Sequence, residues 1–142
     1  MSRESSFDSC GQMRSFAITS VDVSTGVLPD AEEVPVFNMR IEVHLSVAEN
    51  VDDDKARKIE SSLHVFSEEG YLYDARIDTD TEFWFDGDAT EDEIRHYLNN
   101  IGQTCALELT RASLEELTAK FPYGPTKVKR IQNSDLFANI QD

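Results

Sequence analysis

A chain of 142 residues makes one domain by default and can bury roughly two-thirds of its unfolded surface, enough for a core without staples. Acids outnumber bases by 28 to 13, a net charge of −15 that repels phosphate backbones and argues against nucleic-acid binding. No run approaches the roughly 18 apolar residues of a membrane span. The chain shows no apolar leader, and Cys10 and Cys105 make no disulfide framework, so a cytosolic protein with reduced thiols is expected.

Residues 1–12, MSRESSFDSCGQ, are small and polar and read as a flexible N-terminal tail ahead of a single domain over 13–142. In MRSFAITSVDVS, Phe16 and Ile18 share one strand phase while Val21 and Val23 share the other, and a phase change inside a strand predicts a β-bulge. TGVLPDAEEVP, with Gly26, Pro29 and Pro35, reads as a connecting loop. From Phe37 to Val47 the odd positions are all apolar and the even ones polar, the signature of a half-buried antiparallel strand. ENVDDDKA turns the chain, KIESSLHVFS alternates through Ile59, Leu63 and Val65, and EEG at 68–70 predicts a tight hairpin. A strand from Tyr71 to Phe85 places Tyr71, Tyr73, Ala75, Ile77, Phe83 and Phe85 on one face and Trp84, the sole tryptophan, on the other.

After Gly87 the period changes. Thr90 followed by Glu93 has the form of a capping box, and the acids between them suit the positive end of a helix. Ile94, Tyr97, Leu98, Ile101 and Cys105 recur at three-four spacing, and Leu107, Leu114, Leu117 and Phe121 are expected to continue it. Gly102 either divides this stretch into two helices or lies within one. Pro122 and Pro125 end the helix, TKVKRI is extended and basic, and Ser134 caps a short final helix, DLFANIQ. The fold class is therefore α+β. A four-stranded antiparallel sheet, a meander with a crossover loop after strand 1, packs with a long helix or helix pair and a short C-terminal helix.

Catalytic signals are missing. His44, His64 and His96 have no Cys or His neighbour at ligand spacing, and there is no phosphate loop or nucleophile elbow. Asp52–Asp54 and the acids of 86–92 lack the alternating pattern of a calcium loop. Neither an enzyme nor a cofactor is expected. The surplus is apolar instead. Phe66 and Trp84 fall on the second phase of their strands, the loop supplies Val27, Leu28 and Val34, and the final helix supplies Leu136, Phe137 and Ile140. Together they suggest apolar area for another subunit or an extended ligand.

The order of elements resembles the SecB family of export chaperones. The matching pieces are EFWFDG at a strand end, EDEIRHYLNNIG opening a helix, LTRASLEELTAKFPYGP closing it, and RIQNSDLF before the last helix. FAITSVDVS with its Pro-containing crossover is similar to the family's first strand and loop, and LHVFSEEGYLYDARIDTD to its central hairpin. The likeness spans roughly residues 13 to 140. The family's aromatic helix segment stands here as CALELTRASL, and the chain stops at Asp142, so a solitary or toxin–antitoxin-associated SecB-like chaperone is one expected variant. The resemblance implies an acidic, ATP-independent, homo-oligomeric holdase, a dimer or tetramer, for unfolded polypeptides or preproteins, with SecA or an antitoxin as partner. It places Val27, Leu28, Val34, Leu136, Phe137 and Ile140 along a client groove, with Phe66 and Trp84 as additions. A dedicated adaptor or immunity-like factor for one folded partner is the alternative.

Overall fold

The computed structural model describes residues 9–25, 39–67 and 73–120. The connecting loop, the EEG hairpin and the short final helix expected from the sequence lie outside the described residues. Alternation became strand at all four places where it was read. Strands β1 (Gly11–Thr25), β2 (Met39–Asn50), β3 (Asp53–Ser67) and β4 (Tyr73–Phe85) form one antiparallel sheet in the order β1-β4-β3-β2. β2, β3 and β4 make the meander. β1 and β2, consecutive among the strands, stand at opposite edges, as a crossover between them requires.

The phase change in β1 has the expected cause. The register slips between Met13 and Ser15 and again between Ile18 and Ser20. The second slip brings Phe16, Ile18, Val21 and Val23 opposite Thr81, Thr79, Ile77 and Ala75, so both apolar pairs share one face. β1 also begins earlier than the tail boundary at residue 12 allows. Gly11 pairs with Phe85, Cys10 is buried, and the Cys10 carbonyl accepts the Asp86 N–H at 2.8 Å. Gly11 permits this, because a Cβ there would lie 2.6 Å from the Phe85 ring. Residues 9–12 therefore belong to the folded unit.

Among the described residues one helical run packs over the middle of the sheet. Helix α1 (Glu91–Tyr97) starts at Thr90, which accepts from the Glu93 N–H while Glu93 accepts from the Thr90 N–H, the reciprocal capping box. A π-turn (Leu98–Gly102) leads without a break into α2 (Gln103–Thr118). The expected continuation of one apolar stripe does not hold. Ile94, Tyr97 and Leu98 are buried, but Ile101 and Cys105 sit on the flank, and α2 instead buries Gln103, Ala106, Leu107, Thr110, Leu114 and Thr118. The step from Cys105 to Leu107 breaks the 3.6-residue period, leaving two stripes one residue out of phase. The π-turn absorbs the surplus residue and brings both onto the sheet. Gly102 lets the turn sit close, since a Cβ would meet Leu98, Ile59 and Phe83 at 3.2, 3.3 and 3.5 Å.

The core lies between this run and the two central strands. Ile59, Leu63, Val65, Ala75, Ile77 and Phe83 are at most 2% exposed. Tyr97 meets Phe83 and Phe85 edge-on at 5.9 and 5.3 Å. Buried Arg57 ties the β2–β3 hairpin to the helix start through Glu91 at 2.8 Å and the Asp54 carbonyl at 2.6 Å, and Lys55 reaches the Ala89 carbonyl at 2.7 Å.

Candidate polypeptide-binding surface

The sheet's helix side carries apolar residues on all four strands, yet the helix covers only its middle. Strands about 4.8 Å apart put the outer axes roughly 14 Å apart, while a helix with its side chains is only about 10 Å wide. Packing of α2 accordingly falls on β3 and β4. On β1, Met13, Ile18 and Val21 stay 44 to 46% exposed, with Phe16 and Val23 half-buried beside them. On β2, Ile41 stays 46% exposed, beside half-buried Met39, Val43, Leu45 and Val47. Two apolar stripes thus run along the edge strands, one on each flank of the helix. The Met13 and Cys105 sulfurs lie 3.5 Å apart, so the β1 stripe continues onto the helix.

The flank near β1 is also where titration is perturbed. Burial pushes the Cys105 thiol up. The Tyr97 hydroxyl is raised too, first by burial and then by the nearby Cys105 and Cys10 thiols. Both groups are held neutral at ordinary pH, which suits an apolar contact surface and gives no activated nucleophile. Among the described residues no cluster of His, Cys, Asp and Glu could hold a metal ion, and no helix is long and apolar enough to cross a membrane.

The opposite face of the sheet is charged. Lys58, Glu60, Ser62 and His64 of β3 stand beside Glu82, Asp80, Asp78 and Arg76 of β4. Lys58 pairs with Asp80 at 3.5 Å and Arg76 with Asp78 at 3.3 Å. Glu60 and Asp80 stand directly opposite each other, a like-charge pair that opposes strand pairing. A depression of about 510 Å³ opens there, lined by His44, Glu60, Ser62, Arg76, Asp78 and Asp80 among others.

Phe66 and Trp84 both belong to this charged face, and the structure does not bring them together. Phe66 lies ten residues along β3 from Ala56, the partner of Trp84, which is about 33 Å of strand. The Phe66 ring stacks on His64 at 4.4 Å, and His64 Nε2 meets Asp74 Oδ1 at 2.6 Å. Trp84 is 39% exposed; its Nε1–H donates to Glu82 at 2.6 Å, and the Arg14 guanidinium lies 4.3 Å from the ring centroid. Among the described residues each is a single aromatic in polar surroundings. Val27, Leu28, Val34, Leu136, Phe137 and Ile140 lie outside the described residues.

Sequence reasoning missed the edge stripes. Their side chains are visible as apolar alternation, but a pattern gives the face of a residue and not the width of what covers it. The usable signal was the ratio of four apolar strands to one covering helical run.

No protein-family model matches the chain, and none of the curated proteins does. A solved structure shares the fold: the Mycobacterium tuberculosis Rv1957 SecB-like chaperone, in complex with a ChAD peptide from the Rv1956 HigA1 antitoxin. The TM-score is 0.65 at 15% identity, over 90% of this chain and 92% of that one. A Streptococcus agalactiae protein of unknown function aligns with a TM-score of 0.43 at 12% identity, over 85% of this chain and 97% of that one.

Proposed function

We propose that this chain is a SecB-like chaperone that holds non-native polypeptides in the cytoplasm without nucleotide and without catalysis. The observation that carries the reading is the pair of half-open apolar stripes flanking the helix, on a fold shared with a SecB-like chaperone. Unfolded chains expose apolar side chains, and burying about 100 Å² of apolar surface contributes roughly 2.5 kcal/mol. Stripes of aliphatic and thioether groups offer that energy to many sequences, because they set no hydrogen-bond pattern to be matched. One stripe is assigned to a sister subunit, giving a homo-oligomer, a dimer or tetramer, and the other to clients. Phe66 and Trp84 add separate single-ring contacts, and Val27, Leu28, Val34, Leu136, Phe137 and Ile140 extend the client surface. The charged outer face suits a basic partner and keeps a loaded complex in solution.

The test is suppression of aggregation. Stoichiometric amounts of the chain should keep several unrelated, thermally unfolding proteins from scattering light in the absence of ATP. Failure with all of them would remove the chaperone reading. A second reading, a dedicated adaptor for one partner such as an antitoxin, is favoured by the peptide held in the Rv1957 complex. Binding confined to a single protein would select it. Trp84→Ala should weaken client binding severalfold while lowering stability by less than about 1 kcal/mol; the reverse balance would make Trp84 structural.

A further inference from the structure

The core is divided in two. One cluster gathers Ile59, Phe83, Phe85, Ile94, Tyr97 and Leu98 around α1 and the π-turn. The other holds Leu63, Val65, Ala75 and Ile77 of the sheet against Leu114 of α2. Between them the interface is polar. Ser61, Thr79 and Thr81 on the strands and Gln103 and Thr110 on α2 are all at most 3% exposed. Thr79 and Thr110 bond each other at 2.7 Å, but Ser61 Oγ, Thr81 Oγ1 and both amide atoms of Gln103 have no hydrogen-bond partner among the described residues.

Two observations therefore converge on one place. Buried polar atoms without partners weaken the closed interface and are relieved once water reaches them. The π-turn, a helical irregularity common at functional sites, stands immediately before Gln103. Within the second cluster, α2 contributes one fully buried apolar side chain, Leu114, with Leu117 partly buried.

We infer that α2 is an autoinhibitory lid. It swings about the π-turn off the second cluster, and the trough it uncovers takes an apolar segment of another polypeptide. The inference rests on the polypeptide-binding function proposed above and adds where and how the chain is taken. The floor is Leu63, Val65, Ala75 and Ile77, continuing sideways into Val21 and Ile41, which are already half open. Its present occupant defines the chemistry of its replacement. Leu114 and Leu117 fill it at helical spacing, so an amphipathic segment with leucine-sized side chains three or four residues apart fits the same floor. Opening exchanges apolar contact for water at Gln103, Ser61 and Thr81, and the incoming segment restores the apolar contact.

Two measurements test the lid. Amide hydrogen exchange on the unmodified protein should show residues 106–118 exchanging at least tenfold faster than Ile94 to Leu98; equal protection would overturn the inference. The second uses Thr79→Cys with Thr110→Cys in a Cys105→Ser background, placed where the two side chains already touch, to lock α2 onto β4. Permanently unfolded, reduced and alkylated α-lactalbumin is the probe. The oxidised protein should bind it at least tenfold more weakly than the same protein after reduction, and equal affinity would overturn the lid. An unmodified chain that binds no α-lactalbumin would overturn the chaperone reading and the role of the trough, while hydrogen exchange would still decide whether α2 opens.

Discussion

On the same face of one sheet, the central strands and the edge strands have opposite fates. Ile59, Leu63, Ile77 and Phe83 on β3 and β4 are at most 1% exposed, whereas Ile18, Val21 and Ile41 on β1 and β2 stay 46% open. Their local patterns are alike, since each strand alternates and places its apolar residues on the helix side. The difference is one of coverage. Among the described residues one helical run shields two strands of four, so equivalent side chains become core in the centre and contact surface at the rim.

The largest expected effect lies in the centre. Phe83→Ala, at 0% exposure, should cost about 3–5 kcal/mol in a denaturant melt. A loss below 1 kcal/mol would mean the centre is no better packed than the rim. Next comes the helical register that sets the coverage. Inserting an alanine after Asn99 rotates α2 by about a further 100°, which would turn Leu107 and Leu114 off the sheet and cost on the order of 3 kcal/mol. Deleting Asn99 removes the surplus residue and leaves both stripes in phase on a plain α-helix. Its melt should fall within about 1 kcal/mol of the parent, an asymmetry absent if the π-turn were not a register correction.

The rim should answer differently. Replacing Met13, Ile18 and Val21 together with Ser should change stability by under about 1 kcal/mol apiece while weakening oligomerisation or client binding tenfold, equivalent to about 1.4 kcal/mol. Sedimentation and a binding titration read the two losses separately; an unchanged pair would make the stripe idle surface. The smallest effect is at alkaline pH. Tyr97 is raised in the folded state, so its contribution is fully present below the ordinary tyrosine value of 10.0 and is lost as pH rises through the higher folded value. Tyr97→Phe should flatten the decline of stability above about pH 10, measured by melts across that range.

Much of this was legible in advance. The β1 bulge could be read from the opposite phases of Phe16–Ile18 and Val21–Val23, and the helix start from Thr90 and Glu93, because both are local: one residue out of step, one side chain three residues from its partner. The stripe phase past Gly102 was misjudged. The mismatch between Cys105 and Leu107 is visible in the spacing, but the π-turn that absorbs it has no local signature. Phe66 and Trp84 were correctly placed on the second face. Their separation of about 33 Å follows from register, which no single strand carries.

By itself the sequence determined the four strands, the faces their side chains take, the capped helix and the acidic surface, since each follows from neighbours within a few residues. Tertiary structure decided which apolar residues became core. That depended on β1 lying beside β4 rather than β2, and on one helical run seating over two strands of four. Burial is a property of what lies opposite a residue, and what lies opposite Ile77 or Ile18 comes from a distant part of the chain.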